Sequence, residues 1–364
     1  MTGWFVGKVL NLDKSNIINK TLPTLSEKIG LMLMIGFRGL AVDDNSPVVA
    51  DIISGRIGGV ILFDRDVTLN SDVRNIQSLQ QVKDLISSLK SFCKEKLLVS
   101  VDQEGGQVNR LKEKYGFPAS VSQEYLGKLN NPETTAFYGK LTATTLSECG
   151  FNLNFAPDAD LNTNPDNPVL GKKERCFSAD PAIVTEHTEI IIDEHHKKNV
   201  LCTIKHFPGH GSSTADSHLG FVNVTNTWDE IELIPFKNII EDGKADLIMT
   251  AHIFNSNLDE KYPATLSKNV IDGILRKQLG FDGVVISDDM NMKAISDHYG
   301  LEQAIELAIN AGVDILMFGN NVVFNENIAS EAMNIIEKLV RNGKITEDRV
   351  DESYRRIMKM KETI

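Results

Sequence analysis

Residues 266–289 read LSKNVIDGILRKQLGFDGVVISDD. Apolar residues in the first half recur at the spacing of an amphipathic helix, and Gly280 is suited to end that helix. Residues 283–287 then form a short, continuous apolar run, which is typical of a strand buried on both faces of a parallel sheet. Asp288 and Asp289 follow directly. The stretch therefore predicts one helix–strand unit with carboxylates at the carboxyl end of its strand.

Similar units recur along nearly all of the 364 residues. The other apolar runs are 31–37, 58–63, 97–101, 151–156, 200–204, 246–254 and 314–319. Eight units predict an α/β protein, a single-domain (β/α)8 TIM barrel spanning residues 1–364, with residues 1–22 as an N-terminal extension and no second domain. The first strand could be irregular, because LMLMIGF also reads as a helix running into a short strand. The alternative, an open doubly wound sheet, often carries a phosphate-binding glycine fingerprint after its first strand, and the sequence has none.

Composition narrows the class of protein. The formal net charge of −12 argues against a nucleic-acid or anionic membrane surface, because such surfaces need clustered Lys and Arg. The four cysteines are scattered, which favours reduced thiols over a disulfide framework. We find no signal-peptide pattern and no apolar run long enough to span a bilayer. These features predict a cytoplasmic protein without a membrane or nucleic-acid partner.

Titratable residues follow five of the predicted strands, namely Asp102, Asp158, Lys205 with His206, His252, and Asp288. In a TIM barrel the carboxyl ends of all strands face one mouth, where catalysis takes place. A single aspartate after a strand is more often a cap or turn residue, and Asp289 suits a cap at least as well as Asp288. Five such positions on one face predict a pocket lined by acids, histidine and lysine.

Residues 205–218, KHFPGHGSSTADSH, allow several interpretations. A zinc site could use His206, His210, Asp216 and His218. However, the H-x-x-x-H spacing presents both rings on one face only in a helix, and the proline and glycines disfavour a helix here. We therefore predict no metal site. Judged by composition alone, the stretch could equally be an ordinary polar loop.

Four segments resemble family 3 of the glycoside hydrolases. ILRKQLGFDGVVISDDMN (274–291) resembles the active-site signature of the family, and KHFPGHGSSTADSH is similar to the marker of its NagZ-type β-N-acetylglucosaminidase branch. VDQEGGQVNRL (101–111) and ADLIMTAHIF (245–254) resemble two further segments. The resemblance covers nearly the whole chain. It implies one N-terminal-type catalytic barrel of that family, working without a cofactor.

The resemblance also implies a mechanism. Asp288 would be the nucleophile that forms a covalent glycosyl-enzyme, and His218 backed by Asp216 would be the acid/base. A carboxylate on one imidazole nitrogen fixes the tautomer, and the other nitrogen can then give and take the proton. A neutral histidine also avoids a second anion beside Asp288. We expect Gly209 and Gly211 to make this loop mobile, so that it closes over the substrate.

By resemblance the enzyme is a retaining exo-β-N-acetylglucosaminidase, a monomer or weak homo-oligomer, that removes terminal N-acetylglucosamine from muropeptide fragments during peptidoglycan recycling. The implied sugar-binding residues are Asp102, Arg110, Arg175, Lys205, His206 and, less directly, His252.

The sequence departs from the family at Gln107, at Lys172–Lys173, at Cys176 and in LGFVNV after His218, so the loop geometry and aglycone preference stay open. Four other functions also stay open. On the same barrel the chain could be a β-glucosidase or a glycoside phosphorylase. It could also be a catalytically silent sugar-binding protein or a metal-dependent hydrolase.

Overall fold

The computed structural model describes residues 22–216 and 220–364. Eight parallel strands form one sheet, in which β1 pairs with β2 and β8, and the others follow in chain order up to β7. The strands are β1 Leu33–Gly36, β2 Gly59–Ile61, β3 Leu98–Val101, β4 Leu153–Asn154, β5 Leu201–Phe207, β6 Leu247–Thr250, β7 Val284–Ser287 and β8 Leu316–Phe318. A parallel bridge between Ile286 and Ile315 joins the two edges. The predicted TIM barrel is confirmed.

The strands form where the apolar runs predicted them, and all of their residues are buried. Continuous apolar runs suit this position, because each strand contacts the barrel interior on one face and helices on the other. LMLMIGF contains the end of helix α1 (Leu25–Leu31) followed by β1, so its reading as a helix running into a short strand is confirmed. β1 itself is regular and pairs in parallel on both sides.

Helices surround the sheet. The longer ones after α1 are α2 Pro47–Ile53, α3 Leu79–Ser91, α4 Gln123–Leu129, α5 Pro132–Cys149, α6 Pro181–His196, α7 Ile234–Glu241, α8 Leu301–Ala311, α9 Ile328–Arg341 and α10 Glu347–Lys361. The segment before β7 is a π-helix, Asn269–Gln278, in which the N–H of Leu279 reaches back to the carbonyl of Ile274. Gly280 follows it with φ of +74°, as its predicted role at the end of this helix requires.

Two small strand pairs lie above the barrel mouth. Gln103–Gly105 and Val108–Asn109 form an antiparallel hairpin after β3. Val222–Asn223 pairs in parallel with Ile253–Phe254, beyond β6. Of the predicted N-terminal extension, only Leu22 falls within the described residues. Across the described ranges, no helix combines the length and apolar character that crossing a bilayer requires.

Candidate active site

The floor of the barrel mouth is a cluster of two carboxylates and two cations, Asp102, Glu104, Arg175 and Lys205, which we call the charged floor. Lys205 Nζ lies 2.7 Å from Glu104 Oε1 and 3.0 Å from Asp102 Oδ1. Arg175 donates from Nε and Nη2 to the two oxygens of Glu104, each at 2.8 Å. Such a bidentate pair fixes the guanidinium plane as well as its charge. The floor therefore holds its cations in one geometry.

All four groups of the charged floor are ionised at neutral pH. Burial alone would raise the pKa of Glu104, but Arg175 and Lys205 outweigh it and lower that pKa to about 2. Lys205 and Arg110 do the same for Asp102, whose pKa also falls to about 2 against the effect of burial. Burial would lower the pKa of Lys205, but the two carboxylates raise it. The side chain of Asp102 is 19% exposed and that of Glu104 only 1%, so Asp102 is the carboxylate open to the mouth.

Arg110 extends the floor toward the end of β2. Its Nη2 lies 3.6 Å from Asp102 Oδ2, and its Nε lies 3.9 Å from Asp64 Oδ1. Lys112 contacts the other oxygen of Asp64. Arg110 Nε is buried without a hydrogen-bond partner in the described part of the chain. That nitrogen is enclosed by protein, but the side chain as a whole is 26% exposed, so part of the guanidinium is open to the mouth.

His206 is held from below by two aspartates that follow β4. Its Nδ1 lies 2.6 Å from Asp160 Oδ2, while its Nε2 faces Arg175 Nη2 at 3.3 Å. Burial, and then the charges of Arg175 and Lys205, lower the pKa of His206 well below its usual value. A neutral ring with Nδ1–H donated to Asp160 leaves Nε2 as an acceptor. His206 therefore presents its unprotonated nitrogen, Nε2, to the guanidinium of Arg175.

Asp158 and Asp160 lie close enough to His206 to suggest a cation site, since one ligand atom from each falls within 4.8 Å of the others. Asp160 accepts hydrogen bonds from His206 and from the N–H of His210, but neither carboxylate oxygen of Asp158 has a hydrogen-bond partner among the described residues. Arg175 Nε lies 3.0 Å from Asp158 Oδ2, although it donates to Glu104. Burial raises the pKa of Asp158 well above its usual value, while the charge of Arg175 opposes this shift. The set differs from the four zinc ligands considered from sequence, of which it contains only His206.

The segment after β5 is firmly anchored as far as Ser213. The N–H of His210 donates to Asp160 Oδ1 at 2.7 Å, and the N–H of Gly211 donates to Glu232 Oε2 at 2.9 Å. Asn167 donates its amide to the carbonyls of both residues, at 2.9 and 3.1 Å. The segment is therefore a rigid stem and not a hinge.

The glycines of this stem have a different role from the predicted one. A Cβ on Gly211 would lie 1.7 Å from the carbonyl oxygen of Leu161, and one on Gly209 would lie 2.5 Å from Cβ of Glu232. Gly209 also has φ of +113°. Both positions need glycine for close packing and backbone conformation rather than for movement. Close packing accounts for both glycines, and the mobility of the loop that follows them stays a prediction.

Asp288 is half-buried at the carboxyl end of β7, where the sequence placed it. Its Oδ1 accepts a hydrogen bond from the N–H of Asp289 at 2.7 Å, and its charge acts on both His206 and His210. The neighbouring Asp289 accepts from the N–H groups of Asn291 and Gly319 and does not cap the helix that follows, whose N-cap is Met292. Asp288 is therefore the carboxylate of this pair whose charge reaches the histidines of the β5 end.

His252 lies beside this strand end with both ring nitrogens engaged by protein groups. Nδ1 lies 2.8 Å from Thr265 Oγ1, and Nε2 lies 3.0 Å from the carbonyl oxygen of Asp289. The side chain is 2% exposed. This geometry fits a residue that positions the backbone after Asp288 better than one that contacts a sugar, so we reinterpret the sequence-based assignment.

The two remaining predicted catalytic residues lie on the loop beyond the stem. Asp216 is half-buried. His218 lies outside the described residues, so its assignment stays a prediction. Three site residues were missed from sequence, namely Glu104, Asp160 and Glu232, whereas Asp158 was expected only as one of the strand-end residues that line the pocket. Glu104 and Asp158 stood in strand-end motifs already singled out, but only three-dimensional contacts assign them partners.

Fold and site together define the class, an enzyme built on a TIM barrel with its titratable groups at the carboxyl ends of the strands. Residues 24–360 match the family model described as the glycosyl hydrolase family 3 N-terminal domain. A β-hexosaminidase of Tolumonas auensis is 36% identical over 270 residues, covering 73% of this chain and 76% of that protein. The chain therefore belongs to glycosyl hydrolase family 3.

Other relatives are longer or of similar length. β-Hexosaminidase A of Pseudoalteromonas piscicida is 30% identical over 381 residues, and the match covers 93% of this chain but 61% of that protein. A family 3 β-N-acetylglucosaminidase structure from Paenibacillus sp. str. FPU-7 superimposes with a TM-score of 0.85 at 33% identity, covering 94% of this chain and 63% of that one. A β-N-acetylhexosaminidase from Beutenbergia cavernae gives 0.83 at 27% identity and is covered over 99% of its length.

Proposed function

We propose that this family 3 glycoside hydrolase is a retaining exo-β-N-acetylglucosaminidase that releases terminal N-acetylglucosamine. The observation that carries the proposal is the placement of Asp288 at the carboxyl end of β7, where its charge acts on His206, the neighbour of Arg175 in the charged floor. A retaining glycosidase needs a carboxylate nucleophile beside a set of donors and acceptors that hold the sugar hydroxyls. Asp102, Arg110 and the partly exposed face of Arg175 offer such groups. The naming of the relatives as β-hexosaminidases and β-N-acetylglucosaminidases supports this choice of sugar.

In the proposed reaction Asp288 attacks the anomeric carbon, and the bond to the leaving oxygen breaks as His218 gives it a proton. Water then attacks the glycosyl-enzyme and returns a proton to His218, which releases the sugar with its configuration retained. Asp216 holds the imidazole and stabilises its charged form. The charged floor would hold the sugar hydroxyls in fixed positions, and the carboxylate of Asp288 would face the positive charge that develops on the sugar ring in the oxocarbenium-like transition state.

We further propose a cytoplasmic setting in which the substrates are N-acetylglucosamine-terminated peptidoglycan fragments. The four cysteines, all free thiols in the structure, support a reducing compartment. Three of them are buried, and burial raises the pKa of the Cys202 thiol well above its usual value, which keeps it unreactive.

The decisive variant is Asp288→Asn, which keeps the size of the side chain but removes the nucleophile. We expect kcat/KM on an aryl N-acetylglucosaminide to fall by at least about 10³-fold, about 4 kcal/mol, with an unchanged melting temperature. The matched control is Asp297→Asn, an exposed aspartate on the same segment, which should behave as wild type.

Near-normal turnover by Asp288→Asn would refute the assignment of the nucleophile. Turnover of the paired aryl glucoside, but not of the N-acetylglucosaminide, would refute the choice of sugar. Product stereochemistry followed by NMR tests retention, and assays with and without phosphate distinguish hydrolysis from phosphorolysis.

A further inference from the structure

Three rings form an aromatic group at the rim of the barrel mouth: Phe221, Phe254 and His298, which we call the aromatic rim. The ring centroids of Phe221 and Phe254 are 5.3 Å apart, and those of Phe221 and His298 are 5.5 Å apart. Phe221 is 47% exposed and His298 is exposed, so ring faces remain open to solvent although the rings contact each other. Exposed aromatic surface grouped in this way needs an explanation beyond packing.

The aromatic rim is tied to the candidate active site through the backbone. Phe254 belongs to the short strand Ile253–Phe254, which pairs with Val222–Asn223 directly after Phe221. Two residues before Phe254, His252 hydrogen-bonds the carbonyl of Asp289, next to the proposed nucleophile. His298 lies in the segment that leaves β7 after Asp288. The rim therefore flanks the ends of β6 and β7 and not a remote surface.

The chemistry of the reaction places the leaving group on this side. The acid/base must come within hydrogen-bond reach of the glycosidic oxygen, so the aglycone lies beside it. Phe221 follows His218 by three residues, and three residues of extended chain span at most about 10 Å. Aromatic faces are well suited to an aglycone that is itself a sugar ring, because its C–H face is apolar while its edge keeps its hydroxyls in water.

Resting on the proposed function, we propose that the aromatic rim is the aglycone-binding surface, and that Phe221 selects substrates whose leaving group is a sugar ring. Such a surface contributes binding only when the leaving group is large enough to reach it. A small alkyl leaving group gains nothing from it. Phe221 is therefore a specificity-determining residue and not a catalytic one.

The test compares two substrates whose leaving groups are both alcohols. They are N,N′-diacetylchitobiose and methyl β-N-acetylglucosaminide. For Phe221→Ala we expect kcat/KM on chitobiose to fall about tenfold with little change on the methyl glycoside, and Phe221→Tyr to restore the wild-type ratio. The control is Phe137→Ala, which removes a ring that is 62% exposed on α5. Equal losses on both substrates would overturn the proposal, because Phe221 would then act on the loop rather than on the aglycone.

Calorimetric binding of the same two sugars to the Asp288→Asn variant, with and without Phe221→Ala, separates this proposal from the proposed function. If the wild-type protein hydrolyses neither sugar, the proposed function fails. A selective weakening of chitobiose binding by Phe221→Ala still supports the aromatic rim in that case, and equal weakening of both sugars, or none, rejects it.

Discussion

Two buried carboxylates, Glu104 and Asp314, lie at opposite ends of the barrel and bind cations in similar ways. Asp314 precedes β8 and accepts from Arg276, Arg349, Ser353 and the N–H of Val285, at 2.6 to 3.1 Å. The arginines continue to backbone carbonyls, so this network closes on the protein itself. The Glu104 network instead continues to Asp102 and Arg110, which are partly open to the mouth. Buried carboxylate–cation pairs therefore stabilise the fold at one end of the barrel and line the candidate active site at the other.

The largest effect that tests this comparison is expected from Asp314→Asn. The change removes the charge that pairs with buried arginines, and leaving buried charge without a partner costs about 3–5 kcal/mol of unfolding free energy. Denaturant unfolding measures the loss, and kcat/KM per folded molecule should not change. The control is Asp282→Asn, whose side chain is 77% exposed and lies 3.5 Å from Arg356, where a surface pair contributes at most about 1 kcal/mol. Equal losses in the two variants would contradict the structural role of Asp314.

Glu232 sharpens the comparison, because it is a buried carboxyl that pairs with no cation among the described residues. Burial, with the negative charge of Asp160 adding to it, raises the pKa of Glu232 to about 7 against the hydrogen bond from Gly211. A raised folded-state pKa means that its contribution to stability is fully present below the ordinary value of 4.5 and is lost as pH rises through about 7. Between pH 4.5 and pH 9, the unfolding free energy of Glu232→Gln should therefore rise by on the order of 3 kcal/mol relative to that of the wild type.

Melting temperatures of wild type and Glu232→Gln across this pH range measure the effect. Parallel stability profiles for the two proteins would show that Glu232 does not titrate in this range. The groups facing Glu232 are the stem residues of 209–212 and Asp160, which itself binds His206 and the N–H of His210. The experiment must therefore distinguish the protonation of Asp160 from that of Glu232. Measuring Asp160→Asn over the same pH series does so.

The smallest of the three effects is expected from Asp102→Asn. This change should affect kcat/KM more than stability, whereas Asp314→Asn should affect stability and not kcat/KM. Asp102 is the carboxylate of the charged floor that is open to the mouth, and under the proposed function its loss removes a charged acceptor for a sugar hydroxyl. We expect kcat/KM to fall about 10²-fold, about 2.7 kcal/mol, with a smaller loss of unfolding free energy than in Asp314→Asn, because Lys205 keeps Glu104 as a partner. Steady-state kinetics and denaturant unfolding on the same preparation measure both. A large loss of stability with normal kinetics would place Asp102 with Asp314 as a structural residue.

The strands were predictable from sequence because burial on both faces demands continuous apolar runs, and such runs are visible without coordinates. Asp288 was predictable for the same reason, since a polar residue directly after a buried strand has only the mouth to face. The partners of Glu104 were not, because Arg175 and Lys205 are 71 and 101 positions away along the chain. No local pattern encodes which distant cation reaches a carboxylate.

Gly211 shows a second reason why sequence reasoning falls short. Glycine in a polar stretch suggests a flexible backbone, and on that basis the sequence predicted a mobile loop. In the structure the carbonyl of Leu161 occupies the place of a side chain at Gly211. A glycine required by close packing and one required by movement look alike until the neighbouring backbone is known.

The pairing of β1 with β8 has a consequence for the biosynthesis of the protein. Leu33 pairs with Leu316, so roughly 280 residues are translated between the two halves of this contact. At synthesis rates of about 5–20 residues per second, the edge of β1 that pairs with β8 remains unpaired for on the order of 15 to 60 seconds. During that interval it is an open strand edge in the crowded cell, able to pair with other chains. The nascent protein therefore keeps an aggregation-prone strand edge until its last strand has been made.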